Sequence, residues 1–118
     1  MGMFTQRITI ADLQDQQSVQ LDAVVDTGAF YSVVPGFLLR QLGVEVMGTR
    51  LAHLADGSQI EMEFGQVWLT LGDERLITIV LFGNDIGQTL LGAFALEGFA
   101  LAVDPVNQRL VSVDLILA

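Results

Sequence analysis

The residues in this 118-residue chain best placed to do chemistry are Asp26-Thr27-Gly28-Ala29. They follow an apolar run, Leu21-Asp22-Ala23-Val24-Val25, and precede Phe30-Tyr31-Ser32-Val33-Val34-Pro35. A carboxylate delivered by a buried strand is costly to ionise unless hydrogen bonds reach it. Gly28 lets the backbone turn tightly, and Thr27 sets a hydroxyl beside the acid. Such a carboxylate could move a proton to or from a reacting group. Taken alone, Asp-Thr-Gly is more often a β-turn between strands. The surrounding elements therefore have to decide between the two readings.

Composition closes off several other chemistries. The chain has no cysteine, so a disulfide framework, a thiolate metal site and a thiol nucleophile are all excluded. The single histidine, His53, rules out a His-rich metal site. A serine triad would have to use that one residue, and Ser32 has no base near it in sequence. His53 reads as a strand side chain, and Tyr31 and Trp68 read as packing residues. The net charge is −9, with five arginines and no lysine. Such a surface repels phosphate backbones, so no nucleic-acid partner is expected. With 52% apolar residues the chain can fill a core and leave apolar surface for a partner. The most apolar region, Ile86 to Val103, is interrupted by Gln88, Glu97 and glycines, which argues against a membrane span. No secretory signal is visible in Met1 to Arg7, and a cytoplasmic protein is the expectation.

One domain, residues 1–118, suits this length. Phe4 to Ile10 alternates and reads as a first strand. Val19 to Val25 is a second strand, ending at Asp26. Residues 29–34 run extended. Pro35 opens a short helix to Leu42, with Phe37, Leu38 and Leu42 on its buried side and Gly43 as its stop. Val44 to Leu54 is a strand, and Ala55-Asp56-Gly57-Ser58 is a hairpin turn, because Asp-Gly tolerates positive φ. Gln59 to Phe64 alternates in one phase and Gln66 to Leu71 in the other, which reads as two strands. After a turn at Gly72-Asp73-Glu74-Arg75, Leu76 to Phe82 reads as a strand buried on both faces. Leu90-Leu91 is a short strand, Ala93 to Glu97 a short helix, Phe99 to Asp104 a strand, and Arg109 to Leu117 a final strand. Short strands with turns this frequent predict an all-β sandwich or barrel with one or two short helices.

Three landmarks in this order carry a resemblance: Asp26-Thr27-Gly28-Ala29, the hairpin centred on Asp56-Gly57, and, about sixty residues after Asp26, Leu90-Leu91-Gly92 followed by a short helix and Phe99-Ala100-Leu101-Ala102-Val103-Asp104. From residue 4 to residue 114 the chain resembles the retroviral-like aspartic proteases, or retropepsins, single-domain homodimeric relatives of pepsin. The resemblance implies a closed β-barrel of the acid protease fold, one lobe per chain. It implies that Asp26 is catalytic and that Thr27, Gly28 and Ala29 form the active-site loop. Thr27 would bond across the two-fold axis, and Gly28 would lie beside the substrate main chain. Ala55, Asp56, Gly57 and Ser58 would be the flap over the substrate, and Leu90 would line a side-chain pocket.

The chemistry of the family needs two carboxylates sharing one proton and one water, because like charges about 3 Å apart cannot both ionise. None of the other eight aspartates is followed by Thr-Gly or Ser-Gly. The resemblance therefore implies a homodimer in which Asp26 meets its own copy. The partners implied are the second copy and a peptide or protein substrate, and the reaction needs no metal or cofactor. The termini, Met3 to Ile10 and Val111 to Leu117, could form an intersubunit sheet or close the barrel within one chain.

Two positions depart from the family. The residue after Asp-Thr-Gly-Ala is commonly Ser, Thr or Asp and here is Phe30. The residue after Leu-Leu-Gly is often Arg or another polar residue and here is Ala93. Losing both members of an acid–base pair costs far less than losing one. Two alternatives stay open beside the protease: a catalytically inactive retropepsin-like dimerisation or peptide-binding module, and an unrelated acidic barrel in which Asp-Thr-Gly is a turn.

Overall fold

The computed structural model describes residues 3–117. Its elements, in order, are β1 (Thr5–Ala11), β2 (Ser18–Val25), β3 (Ser32–Pro35), α1 (Gly36–Gln41), β4 (Gly48–His53), β5 (Gln59–Leu71), β6 (Glu74–Gly83), β7 (Leu90–Leu91), α2 (Ala93–Gly98), β8 (Leu101–Asp104) and β9 (Arg109–Ser112). Seven strands form one sheet in the order β1-β2-β7-β3-β6-β5-β4. A further pairing, Thr9 to Ala11 of β1 with Trp68 to Thr70 of β5, bends that sheet back on itself. The ring is partly closed, since its links through β7 are one or two residue pairs long. β4 hangs outside the ring, paired only to the first half of β5. β8 and β9 form a separate two-stranded sheet.

The core follows from strand parity. Ile8 and Ile10, Ala23 and Val25, and Val67 and Leu69 are buried at alternate positions of β1, β2 and β5, and they meet Leu91 of β7, Leu39 and Leu96 of the two helices and Phe99 just after α2. Each fully buried Val, Leu, Ile or Phe side chain among them contributes about 1.5–3 kcal/mol of transfer free energy.

Several local expectations are corrected. The two alternating segments around Gly65 form one 13-residue strand, β5. The phase inverts because the strand serves two structures. Residues 59–64 pair with β4, where the even side chain Met62 faces a cleft. Residues 64–71 pair with β6, where the odd side chains Val67 and Leu69 face the core. β6 is buried on both faces only over Val80 to Phe82, while Ile77 is exposed. The buried leucines here are Leu39 of α1 and Leu42 at its C-cap, three apart on one face, and Phe37 is 43% exposed. Pro35 closes β3 and precedes the helix rather than opening it. β8 begins at Leu101, after Ala100 takes φ +56 at the end of α2. β9 stops at Ser112. The Val113 N–H still reaches the Ala100 carbonyl at 2.9 Å, but residues 114–117 have no strand partner among the described residues.

Candidate active site

β2 delivers Asp26 with ladder bonds on both sides. The Val25 N–H donates to the Phe4 carbonyl at 2.9 Å, and the Val24 and Asp26 N–H groups donate to the Thr89 and Leu91 carbonyls at 2.8 and 3.0 Å. Ala23 and Val25 point into the core, so continued alternation turns Asp26 to the opposite, open side, where it is half-buried. The carboxylate is thus spared the desolvation that a core-facing position would impose. The loop then turns, with the Ala29 N–H donating to the Asp26 carbonyl at 3.1 Å. The Gly28 N–H donates to Asp26 Oδ1 at 2.9 Å. A Cβ on residue 28 would lie 3.1 Å from that same oxygen. Glycine here leaves room for the close approach of the carboxylate, and φ at this position is not in the left-handed region.

The loop is fixed from the other side by the start of α2. No side chain caps that helix. Instead, the Ala93 N–H donates to the Ala29 carbonyl at 2.9 Å and the Phe94 N–H to the Phe30 carbonyl at 2.8 Å. Orphan donors of the first helical turn and carbonyls of the Asp26 loop satisfy one another. One residue earlier, the Gly92 N–H donates to Ser32 Oγ at 3.0 Å in a buried setting. A Cβ on Gly92 would come within 2.8 Å of the Ala29 oxygen and of the Tyr31 carbonyl carbon and oxygen. Leu90-Leu91-Gly92 is therefore threaded between β2 and β3. Leu90 is parallel to Val24 and antiparallel to Val33, and only glycine fits at the end.

A cleft of about 530 Å³ opens beside the loop. Gly28 to Tyr31 form one wall, Arg50 to Leu54 and Met62 of the β4–β5 hairpin form the other, and Val33, Leu81 and Leu90 lie between them. Of the residues singled out by sequence, Gly28, Ala29 and Leu90 line this cleft. Asp26 and Thr27 do not line it; Asp26 is tied to its wall through the Gly28 N–H. Both face a second concavity with Met3, Phe4, Val25, Val103 and Pro105, and Thr27 also faces a third with Leu96, Leu101 and Val103. Ala55 to Ser58 form the tip of the hairpin and do not line the cleft; its arms do. The tip is held by the Leu54 N–H on the Ser58 carbonyl and the Gly57 N–H on the Leu54 carbonyl. The Ser58 hydroxyl and N–H both donate to Asp56 Oδ1 and hold its carboxyl below the usual carboxylate range.

Phe30, one of the two departing positions, belongs to an aromatic trio, and Ala93, the other, immediately precedes the trio's Phe94. Phe30, Tyr31 and Phe94 lie with ring centroids 4.9 to 5.6 Å apart. Phe30 stays 56% exposed at the cleft wall. His53 is an exposed residue of β4 that lines the cleft. Sequence reasoning missed Ser32 as the acceptor that anchors Gly92. The available signal was a serine on the same strand parity as buried Val34, a position that demands a hydrogen-bond partner. It also missed Arg50, Met62, Leu81 and Phe94, which no local pattern sets apart.

No family model matches the chain, and no curated protein matches it by sequence. Its fold, however, is matched among solved structures. The EIAV protease, complexed with the inhibitor HBY-793, superposes with a TM-score of 0.65 over 83% of this chain and 88% of its own, at 22% identity. The fold is that of the retropepsin-like aspartic proteases. The solution structure of the simian foamy virus (mac) protease matches with a TM-score of 0.54 over 80% of this chain and 94% of its own, at 17% identity. The retropepsin-like fold is thus present at an identity too low for either neighbour to carry residue roles to this chain.

Proposed function

We propose that this chain is an aspartic endopeptidase that acts as a homodimer, with a water activated by two copies of Asp26 attacking the peptide carbonyl. The observation that carries this reading is the Asp26 loop. A strand, a helix N-terminus and the Gly92 turn all hydrogen-bond it or pack on it, and it holds a half-buried carboxylate beside Gly28, which lines a cleft walled by a hairpin. Preorganised geometry of this kind is what acid–base chemistry requires. One carboxylate would take the proton of the water while the other, protonated, donates to the carbonyl oxygen. The hairpin tip, Ala55 to Ser58, would close over the peptide and exclude water. A second copy would supply the second carboxylate by covering the face on which Asp26 and Thr27 lie among Met3, Phe4, Leu101 and Val103. The exposed tail supports the same arrangement, since Leu115, Ile116 and Leu117 are 73%, 94% and 90% exposed.

The test is cleavage of a mixed peptide library across acid to neutral pH by wild-type and Asp26→Asn chains, with the dimer mass checked in the same samples. Cleavage by wild type alone supports the reading, and undiminished cleavage by Asp26→Asn overturns it.

The aromatic trio favours a second reading, a non-catalytic peptide-binding or dimerisation module. Phe30 and Ala93 stand where the resemblance implies polar residues, and Phe30 packs on the Phe94 ring beside the loop, a surface that binds apolar groups without assisting hydrolysis. In that case a confirmed dimer binds peptides, never cuts them, and binds equally well as Asp26→Asn.

A further inference from the structure

The five arginines carry all the fixed positive side-chain charge of this acidic chain. Four are paired with carboxylates: Arg7 with Asp22, Arg40 with Glu63, Arg75 with Asp15 and Arg109 with Asp104. Arg50 has no carboxylate partner among the described residues. It sits on β4 opposite Met62, with its guanidinium carbon 4.0 Å from the centroid of the Phe64 ring. Its Nη1 donates to the Thr49 carbonyl at 3.0 Å. A guanidinium presents five N–H donors in its plane, and stacking on a ring leaves that edge free to bind. In a chain with fourteen acidic residues, the arginine without a carboxylate partner among the described residues is the one that lines the cleft. No carboxylate lines that cleft, and its other walls are mostly apolar, including Phe30, Leu51, Leu54, Met62, Leu81 and Leu90.

We infer that Arg50 receives a carboxylate of the bound peptide, so that the ligands of this cleft are peptides with an acidic group flanked by apolar side chains. The inference rests on the reading that the cleft holds peptide. The stacked, half-tethered guanidinium is already oriented, so little freedom is lost when the carboxylate docks. The apolar walls supply contact area and no competing anion. The carboxylate can come from a Glu or Asp side chain or from the peptide's C-terminus, and both would use the same donors.

The experiment measures binding, so it does not depend on catalysis. Acetylated, amidated peptides with an apolar centre, carrying Glu, Gln or Lys at each flanking position in turn, are titrated into Asp26→Asn chains and into the same chains with Arg50→Gln or Arg50→Glu. A parallel set with free C-termini distinguishes the terminal carboxylate from a side chain. Cleavage by wild type is followed alongside. The expected result is that at one position, or at the free C-terminus, the carboxylate form binds about fivefold more tightly than its neutral counterpart, the scale of an exposed ion pair. That advantage falls with added salt, disappears in Arg50→Gln, and shifts toward Lys in Arg50→Glu. Arg50 is exposed, so these variants disturb no core packing, and the salt dependence is read on chains that keep Arg50. Equal binding of Glu and Gln peptides, or a preference that survives Arg50→Gln, overturns the inference even if wild type cleaves. Arg50-dependent binding without any cleavage upholds it while the protease reading falls. If no peptide binds, both fall.

Discussion

Asp26, Gly92 and Ser32 carry distinct expectations. Asp26→Asn keeps the shape of the side chain and its acceptor oxygen for the Gly28 N–H. The fold should therefore survive while peptide cleavage falls by about 10⁴-fold or more, the scale seen when one member of a catalytic unit is removed. Steady-state kinetics on matched dimer samples would check it, and retained activity would sink the mechanism. Gly92→Ala forces a methyl against three backbone atoms at 2.8 Å. Backbone cannot step aside as a side-chain tip can, so a loss of about 3 kcal/mol or more is expected in urea unfolding. Ser32→Ala strands the buried Gly92 N–H and should cost about 1–3 kcal/mol. Because Gly92 adjoins the two donors that hold Ala29 and Phe30, Ser32→Ala should also lower kcat.

The β4–β5 hairpin responds to pH through its own residues. Asp56 is held below its usual value of 3.8, first by the Ser58 hydroxyl and then by the Ser58 N–H. A depressed folded-state value means that these bonds contribute fully above 3.8 and are lost as pH falls through the lower folded value. The hairpin tip should therefore stay ordered through mild acid, where a carboxylate pair sharing one proton would work, and loosen only below that. The Ser58 amide resonance followed by NMR should shift with falling pH in wild type and lose that transition in Asp56→Ala. A wild-type shift centred near neutrality would refute the assignment. Asp15, bonded to Arg75, and Asp104, bonded to Asn107, are depressed in the same direction. The loop before β2 and the β8–β9 turn should therefore weaken over the same acid range.

At the scale of the whole molecule, the proposal that two copies share one site makes activity a property of concentration. Specific activity should fall on dilution, and a large excess of Asp26→Asn chains should suppress wild-type activity through mixed dimers. Activity unchanged by either treatment would leave each chain working alone, which a single Asp-Thr-Gly cannot do by this mechanism. Removing residues 114–117 should leave the barrel intact, because they have no strand partner among the described residues. The same truncation should weaken self-association in analytical ultracentrifugation. An unchanged dimer would assign the association to the concave face around Met3, Phe4 and Val103.

Much of the fold was legible in the sequence because it is written in local chemistry. Strand alternation, the Asp-Gly turn and the apolar run into Asp26 are each set by residues within a few positions of one another. These features, with the Leu90-Leu91-Gly92 landmark, placed the loop, the hairpin and the threaded strand in the right order. What tertiary structure alone decided were matters of facing and partnership. Gly65 divides one strand into a cleft-facing half and a core-facing half because β5 has different neighbours along its length. Ser32 meets Gly92 from sixty positions away. Phe30, Tyr31 and Phe94 gather only because α2 docks its first turn on the loop. That Arg50 has no carboxylate partner among the described residues depends on where the four other arginines find theirs. A sequence records propensities, which act over one turn or one strand. A hydrogen bond or a stacked ring between distant residues exists only once the chain has closed on itself, so those choices were made by the packed barrel.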